Sequence, residues 1–200
     1  GQGLFAVDDP SGVSLFLLAS ILLSVSLIPI LLTEIQAPEL DVQESLGLRA
    51  LWKASPSGVA TIGLSGLASA GFFGVGTIYA VKAGFSVSET ALFMTLFIGF
   101  GAASQWPLGW LSDKIDRRKV IMLCCASVIC ICVVLASFEF TSKILLILSA
   151  LVGAFTLPLY SLGVAQSNDR LEPKQMISAS GTIVLVFSVF AALGPFTMSY

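Results

Sequence analysis

The chain has 200 residues and a formal net charge of -2, with 56% hydrophobic side chains and only 11% charged ones. An ordinary soluble domain carries about 25% charged residues; ten basic and twelve acidic side chains gathered in short clusters cannot clothe a water-facing surface. No basic face exists to hold phosphates, which excludes nucleic acid as a partner.

Runs free of Asp, Glu, Lys and Arg that are long enough to cross a bilayer, at roughly 20 residues each, recur six times: Val13 to Leu32, Ser55 to Val81, Thr90 to Ser112, Val120 to Phe138, Ile144 to Asn168 and Met176 to Tyr200. In lipid each must be a helix, because only a helix satisfies its own backbone polar groups. The fold class expected is therefore an all-α membrane protein, a polytopic transmembrane helix bundle. The chain opens Gly-Gln-Gly rather than with Met, and its apolar runs persist to the last residue; it reads as a fragment or a processed piece.

Between the first two runs, Thr33 to Ala54 mixes acidic residues with an amphipathic end. Leu48, Leu51 and Trp52 share a helical face there, and Trp52 with Lys53 suits headgroup depth. Ser55 followed by Pro56 predicts an N-cap hydroxyl ahead of a proline at the first helical position. Ser86-Val-Ser-Glu89 reads as a capping box opening the third run, which assigns Glu89 a structural duty. Glu172-Pro173 opens the last. The remaining loops are short and predict successive helices as antiparallel neighbours.

Orientation follows from the basic residues. Arg49, Lys53, Lys114, Arg117, Arg118, Lys119, Arg170 and Lys174 lie in the loops after the first, third and fifth runs, and only Lys82 and Lys143 lie on the other side. Eight against two places those three loops in the cytoplasm and both chain ends outside.

Within the second run, Gly66, Ala70 and Gly74 recur every four residues, a small-residue face that lets helices approach closely. The fifth run carries Gly153 and Pro158, where a buried proline removes a hydrogen bond and permits a bend. Polar side chains inside the runs are few. Gln105, beside Trp106, is about 10 Å deep from Ser112 at 1.5 Å per residue, so its amide calls for protein or water around it; it either lines a cavity or joins two helices. Trp106, Tyr160 and Phe73 are further cavity candidates. No carboxylate lies inside a run, so this stretch offers no intramembrane proton carrier. Histidine is absent, and Cys124, Cys125, Cys130 and Cys132 lack the paired spacing of a zinc site. Neither metal nor cofactor is expected, and an enzyme is disfavoured.

The charged turn Gly109 to Lys119, Gly-Trp-Leu-Ser-Asp-Lys-Ile-Asp-Arg-Arg-Lys, holds four of the ten basic residues. Asp113 falls at a helix C-terminus, where the helix dipole disfavours a carboxylate by roughly 0.3 to 1 kcal/mol. A basic partner such as Arg117 would offset that; the alternative is a solvated turn.

Gly109-x-Leu111-Ser112-Asp113-Lys114-x-x-Arg117-Arg118 resembles the motif between the second and third helices of each half of the major facilitator superfamily, Gly-x-Leu-Ala-Asp-Arg-x-Gly-Arg-Arg, with Asp116 in place of the glycine. The resemblance implies helices six to eleven of a twelve-helix, partly represented fold: residues 1–33 as the last helix of an N-terminal half, 34–55 as a cytoplasmic interdomain linker and 56–200 as five of the six helices of a C-terminal bundle. It implies secondary active transport of a small molecule by alternating access, uptake and efflux both open, in a bacterial inner membrane, with the missing N-terminal half and the lipid bilayer as partners and proton coupling undecided. It implies further that Asp113 and Arg117 belong to a cytoplasmic charge lock, with Asp169, in Ser-Asn-Asp-Arg after the fifth run, as the acid that Arg117 meets. A channel or receptor-like helical bundle is the runner-up.

Overall fold

A computed structural model describes residues 13–32, 46–138 and 140–198. The chain divides into two compact units, Gly1–Gln43 and Glu44–Tyr200, and the division falls inside the expected linker. Most of that linker, both chain ends and Tyr200 lie outside the described residues.

In the first unit, α1 (Ser14–Leu31) is an 18-residue apolar helix. Its serines hide their own polarity: Ser20, Ser24 and Ser26 each donate to a carbonyl one turn back, at 2.8, 2.9 and 2.7 Å. A hydroxyl closed onto the backbone in this way tolerates lipid.

The second unit contains α2 (Leu48–Ala54), α3 (Pro56–Lys82), α4 (Val87–Lys114), α5 (Arg117–Ser137), α6 (Ser142–Thr156), α7 (Pro158–Asn168) and α8 (Pro173–Met198). Counting α6 and α7 as one rod, Ser142–Asn168, five helices among the described residues are long and apolar enough to cross a membrane. Among the described residues there is no strand.

Start signals were partly legible. Ser86 caps α4 through a complete capping box with Glu89. Ser55, by contrast, is no side-chain cap: its φ is -144° and its ψ 75°, and its hydroxyl donates to the Gln166 carbonyl of α7 at 3.2 Å. Glu172 precedes α8, and its N–H is taken by Gln175 Oε1 at 3.1 Å.

Helices adjacent in sequence are not the closest neighbours. α3 packs most extensively along α8 and then α7, while α4 lies along α6. Glycine decides this. A methyl group on Gly66 would stand 2.5 Å from the Phe187 carbonyl oxygen, and one on Gly194 2.6 Å from that of Leu67. A methyl on Gly153 would collide with the Phe97 backbone. Backbones that meet over missing side chains gain dispersion contacts, the main source of helix association in lipid. The expected small-residue face of α3 is thus the seam with α8, Gly74 meeting Pro195.

Three apolar clusters fill the gaps. Leu51 of α2 is fully buried with Val59, Ile62, Ala179 and Ile183, so α2 is a packed part of this unit, while Leu48 and Trp52 on the same face stay half exposed. Phe85, Phe93 and Leu145 form a second cluster around Phe72, whose ring stacks on Phe97 at 3.8 Å. Val120, Ile121 and Cys124 of α5 meet Leu159 and Leu162 of α7 in the third.

Candidate functional site

The turn between α4 and α5 is two residues long. Ile115 ends α4 in an extended conformation, and Asp116 caps α5, its carboxylate accepting the Arg118 N–H at 3.0 Å. At φ -53° Asp116 occupies ordinary backbone space, so the turn does not require the glycine of the motif. This geometry puts Arg117 at the first position of α5, against the end of α4.

All three guanidinium nitrogens of Arg117 are engaged. Nε donates to Asp169 Oδ2 at 3.0 Å, Nη2 to Asp113 Oδ1 at 3.1 Å and Nη1 to Ser112 Oγ at 3.1 Å. The Ser112 hydroxyl spends its one hydrogen on the Gly109 carbonyl at 2.7 Å, which turns a lone pair toward Arg117. Both acids sit at helix C-terminal ends, Asp113 in the last turn of α4 and Asp169 as the C-cap of α7, where the backbone carbonyls repel them. Arg117 offsets that repulsion at two helices at once.

The Arg117 side chain is 16% exposed, against 70% for Asp113 and 53% for Asp169. Water screens such carboxylates, so each pair contributes about 1 kcal/mol or less. The value of the arrangement is geometric: a planar fork fixes the relative position of the α4–α5 turn and the end of α7.

Around this clasp, Leu111 packs on the Val120 cluster, and the Lys114 ammonium lies 3.8 Å from the centre of the Trp110 ring. Arg118 is exposed and makes no ion pair among the described residues. A methyl group on Gly109 would meet nothing within 4 Å.

The four cavity candidates are not brought together. Phe73 meets the edge of Phe97 at 5.5 Å, and Tyr160 meets Phe187 at 4.8 Å. Gln105 and Trp106 point outward from α4, Trp106 being 80% exposed. Among the described residues the Gln105 amide has no hydrogen-bond partner: its neighbour Ser104 takes the inward position, and one residue along a helix turns the side chain about 100°. None of the four lines the 370 Å³ apolar cavity between α3, α5 and α6, which Phe72, Tyr79, Phe93 and Leu145 help to form.

Sequence reasoning missed the hydroxyls that join helices. Ser104 Oγ donates to the Ala154 carbonyl at 2.7 Å and to Gly101 at 2.9 Å, and Ser149 Oγ reaches the Phe93 carbonyl at 3.2 Å. Pro158 signalled that a carbonyl one turn earlier needed a donor, though nothing in the sequence said which helix supplies it. Among the described residues no group of three His, Cys, Asp or Glu side chains is placed to hold a metal ion.

A family model described as Major Facilitator Superfamily matches residues 58–200. The chain belongs to the major facilitator superfamily. Its relatives within the superfamily include the uncharacterized MFS-type transporter YcaD of Escherichia fergusonii, 24% identical over 176 residues, covering 87% of this chain and 45% of that protein. YcaD of Escherichia coli and of Salmonella arizonae are each 25% identical over 171 residues, 84% of this chain and 44% of theirs. This chain thus spans less than half the length of these relatives. No solved structure gives a significant match. Five spanning helices and this membership make it an integral, multi-pass membrane protein of a transporter family.

Proposed function

We propose that this chain is the C-terminal part of a secondary active transporter, in which residues 56–200 form most of one helical bundle, residues 34–55 link it to an N-terminal bundle through the cytoplasm, and the two bundles rock around a small-molecule site. The bacterial inner membrane is its expected location. The observation that carries this reading is the three-armed engagement of Arg117, which joins Ser112 and Asp113 of α4 to Asp169 beyond α7. In the outward-facing state this clasp holds the cytoplasmic ends of α4, α5 and α7 as one block. Opening toward the cytoplasm releases Asp169, and the exposed carboxylates are readily rehydrated, so the latch is weak enough to cycle. Gly109, Leu111, Lys114 and Arg118 shape the same turn.

Charge exchange in the full-length protein tests the pair. Arg117→Asp and Asp169→Arg each abolish transport, and the double variant recovers a substantial part of it. Absence of recovery, with both single variants folded and inserted, would overturn the role given to the pair.

A further inference from the structure

The helix ends far from Arg117 carry a second feature. Between the last turns of α3, the end of α5 and the start of α6 lies an apolar cavity of about 370 Å³. Phe72, Phe93, Leu135, Leu145, Leu148 and Val152 contribute to its wall. The Ser149 hydroxyl also faces it but is committed to backbone carbonyls at 2.8 and 3.2 Å. An apolar chamber of this kind holds water poorly and accepts hydrocarbon.

The chamber has a polar mouth. A contiguous space of about 600 Å³ shares Tyr79, Leu135, Ala136 and Leu145 with it and is rimmed by Lys82. Tyr79 and Lys82 are three residues apart on α3, hence on one face. Lys82 forms no ion pair among the described residues, and the Tyr79 hydroxyl makes no hydrogen bond there. One cation and one free donor thus stand over a dry chamber at the end of the span.

We propose that this is a binding site for a single-chain anionic amphiphile, a fatty acid or its chemical equivalent, with the alkyl chain in the chamber and the carboxylate at Lys82 and Tyr79. Size and charge both argue for this occupant. At about 30 Å³ per unit, a liquid water's volume that a methylene group approaches, the chamber holds about a dozen chain carbons, one chain and not two. Among the described residues, the polar groups of the mouth offer one positive charge, on Lys82, and donors. The site depends on the geometry of this bundle alone and not on the transport cycle proposed above.

The test uses full-length protein in nanodiscs of zwitterionic phospholipid, with a photoreactive twelve-carbon fatty acid and its neutral glycerol ester as probes. Labelling by the acid concentrates on Cys132–Ala136 and Leu145–Val152. Leu148→Trp, which fills the chamber, lowers capture of both probes about tenfold, and Ala136→Phe does so if the tryptophan variant fails to insert. Lys82→Gln weakens the acid about tenfold and leaves the ester unchanged, the factor a lost interaction of about 1.4 kcal/mol produces. Labelling spread evenly over outward residues such as Ile129 and Val133, indifferent to the filling variants, would overturn the proposal. So would an acid that binds Lys82→Gln as tightly as the parent, or competition by two-chain phospholipid equal to that of free fatty acid.

Discussion

The Ser104 hydroxyl donates to the Ala154 carbonyl, the acceptor that Pro158, four residues on and lacking an N–H, leaves without its helical partner. One side chain on α4 thereby repairs a gap in the rod formed by α6 and α7. Leu157, between the two helices, keeps helical angles of -65° and -36°. Removing the donor leaves a carbonyl unsatisfied in an apolar setting, so Ser104→Ala destabilises the bundle by about 1 kcal/mol. Pro158→Ala restores an N–H to the same carbonyl, and in that background Ser104→Ala is close to neutral. Unfolding of the four proteins in mixed micelles measures the cycle; equal effects of Ser104→Ala in both backgrounds would remove Ala154 as the reason.

Gly153→Ala drives a methyl group into the Phe97 backbone, which cannot move without α4 moving. The expected loss is about 1–3 kcal/mol, the range for overpacking. Gly99→Ala, with nothing within 4 Å of the new methyl, is the control and gains up to about 1 kcal/mol of helix propensity. Thermal unfolding in detergent distinguishes them, and equal midpoints would contradict the close crossing.

Asp116→Ala removes the cap of α5 at a loss of about 1 kcal/mol, whereas Asp116→Gly, which restores the residue of the motif, loses only a few tenths. Amide exchange at Arg118 and Lys119 reports fraying of this first turn directly. Faster exchange in the glycine variant than in the alanine variant would count against a capping role.

Gly109→Ala leaves the stability of this bundle unchanged or slightly raised, since the new methyl meets no atom here. A loss of transport by a variant of normal stability therefore reports contact with a part of the protein outside these residues. Normal transport together with normal stability would deprive Gly109 of the role its motif position suggests.

How much of this was legible in the sequence depended on the kind of force involved. The capping box at Ser86 and Glu89 is local, set by neighbours three residues apart, and could be read directly. Asp113 and Arg117 lie four residues apart in one turn and could be paired from the residues themselves, whereas Asp169 came only from the resemblance of that turn to the family motif. The directions taken by the cavity candidates were not legible, for a different reason. In water, polarity marks the outside of a helix, but in a bilayer both the bundle interior and the lipid are apolar, so hydropathy does not say which way Phe73 or Trp106 turns. Ser55 failed more subtly: as an N-cap its oxygen would accept a local backbone N–H, but no such bond forms and the hydroxyl instead donates to the distant Gln166 carbonyl on α7.

Helix α5 is held unevenly. Val120, Ile121 and Cys124 near Arg117 are buried, while Ile129, Val133 and Phe138 toward its other end are exposed. Such a rod behaves as a cantilever. Over its 21 residues, at 1.5 Å each, it reaches about 30 Å, so a tilt of about 5° at the anchored end displaces the free tip by about 2–3 Å. The half of α5 that walls the apolar chamber is thus the half with fewer buried side chains to fix its position.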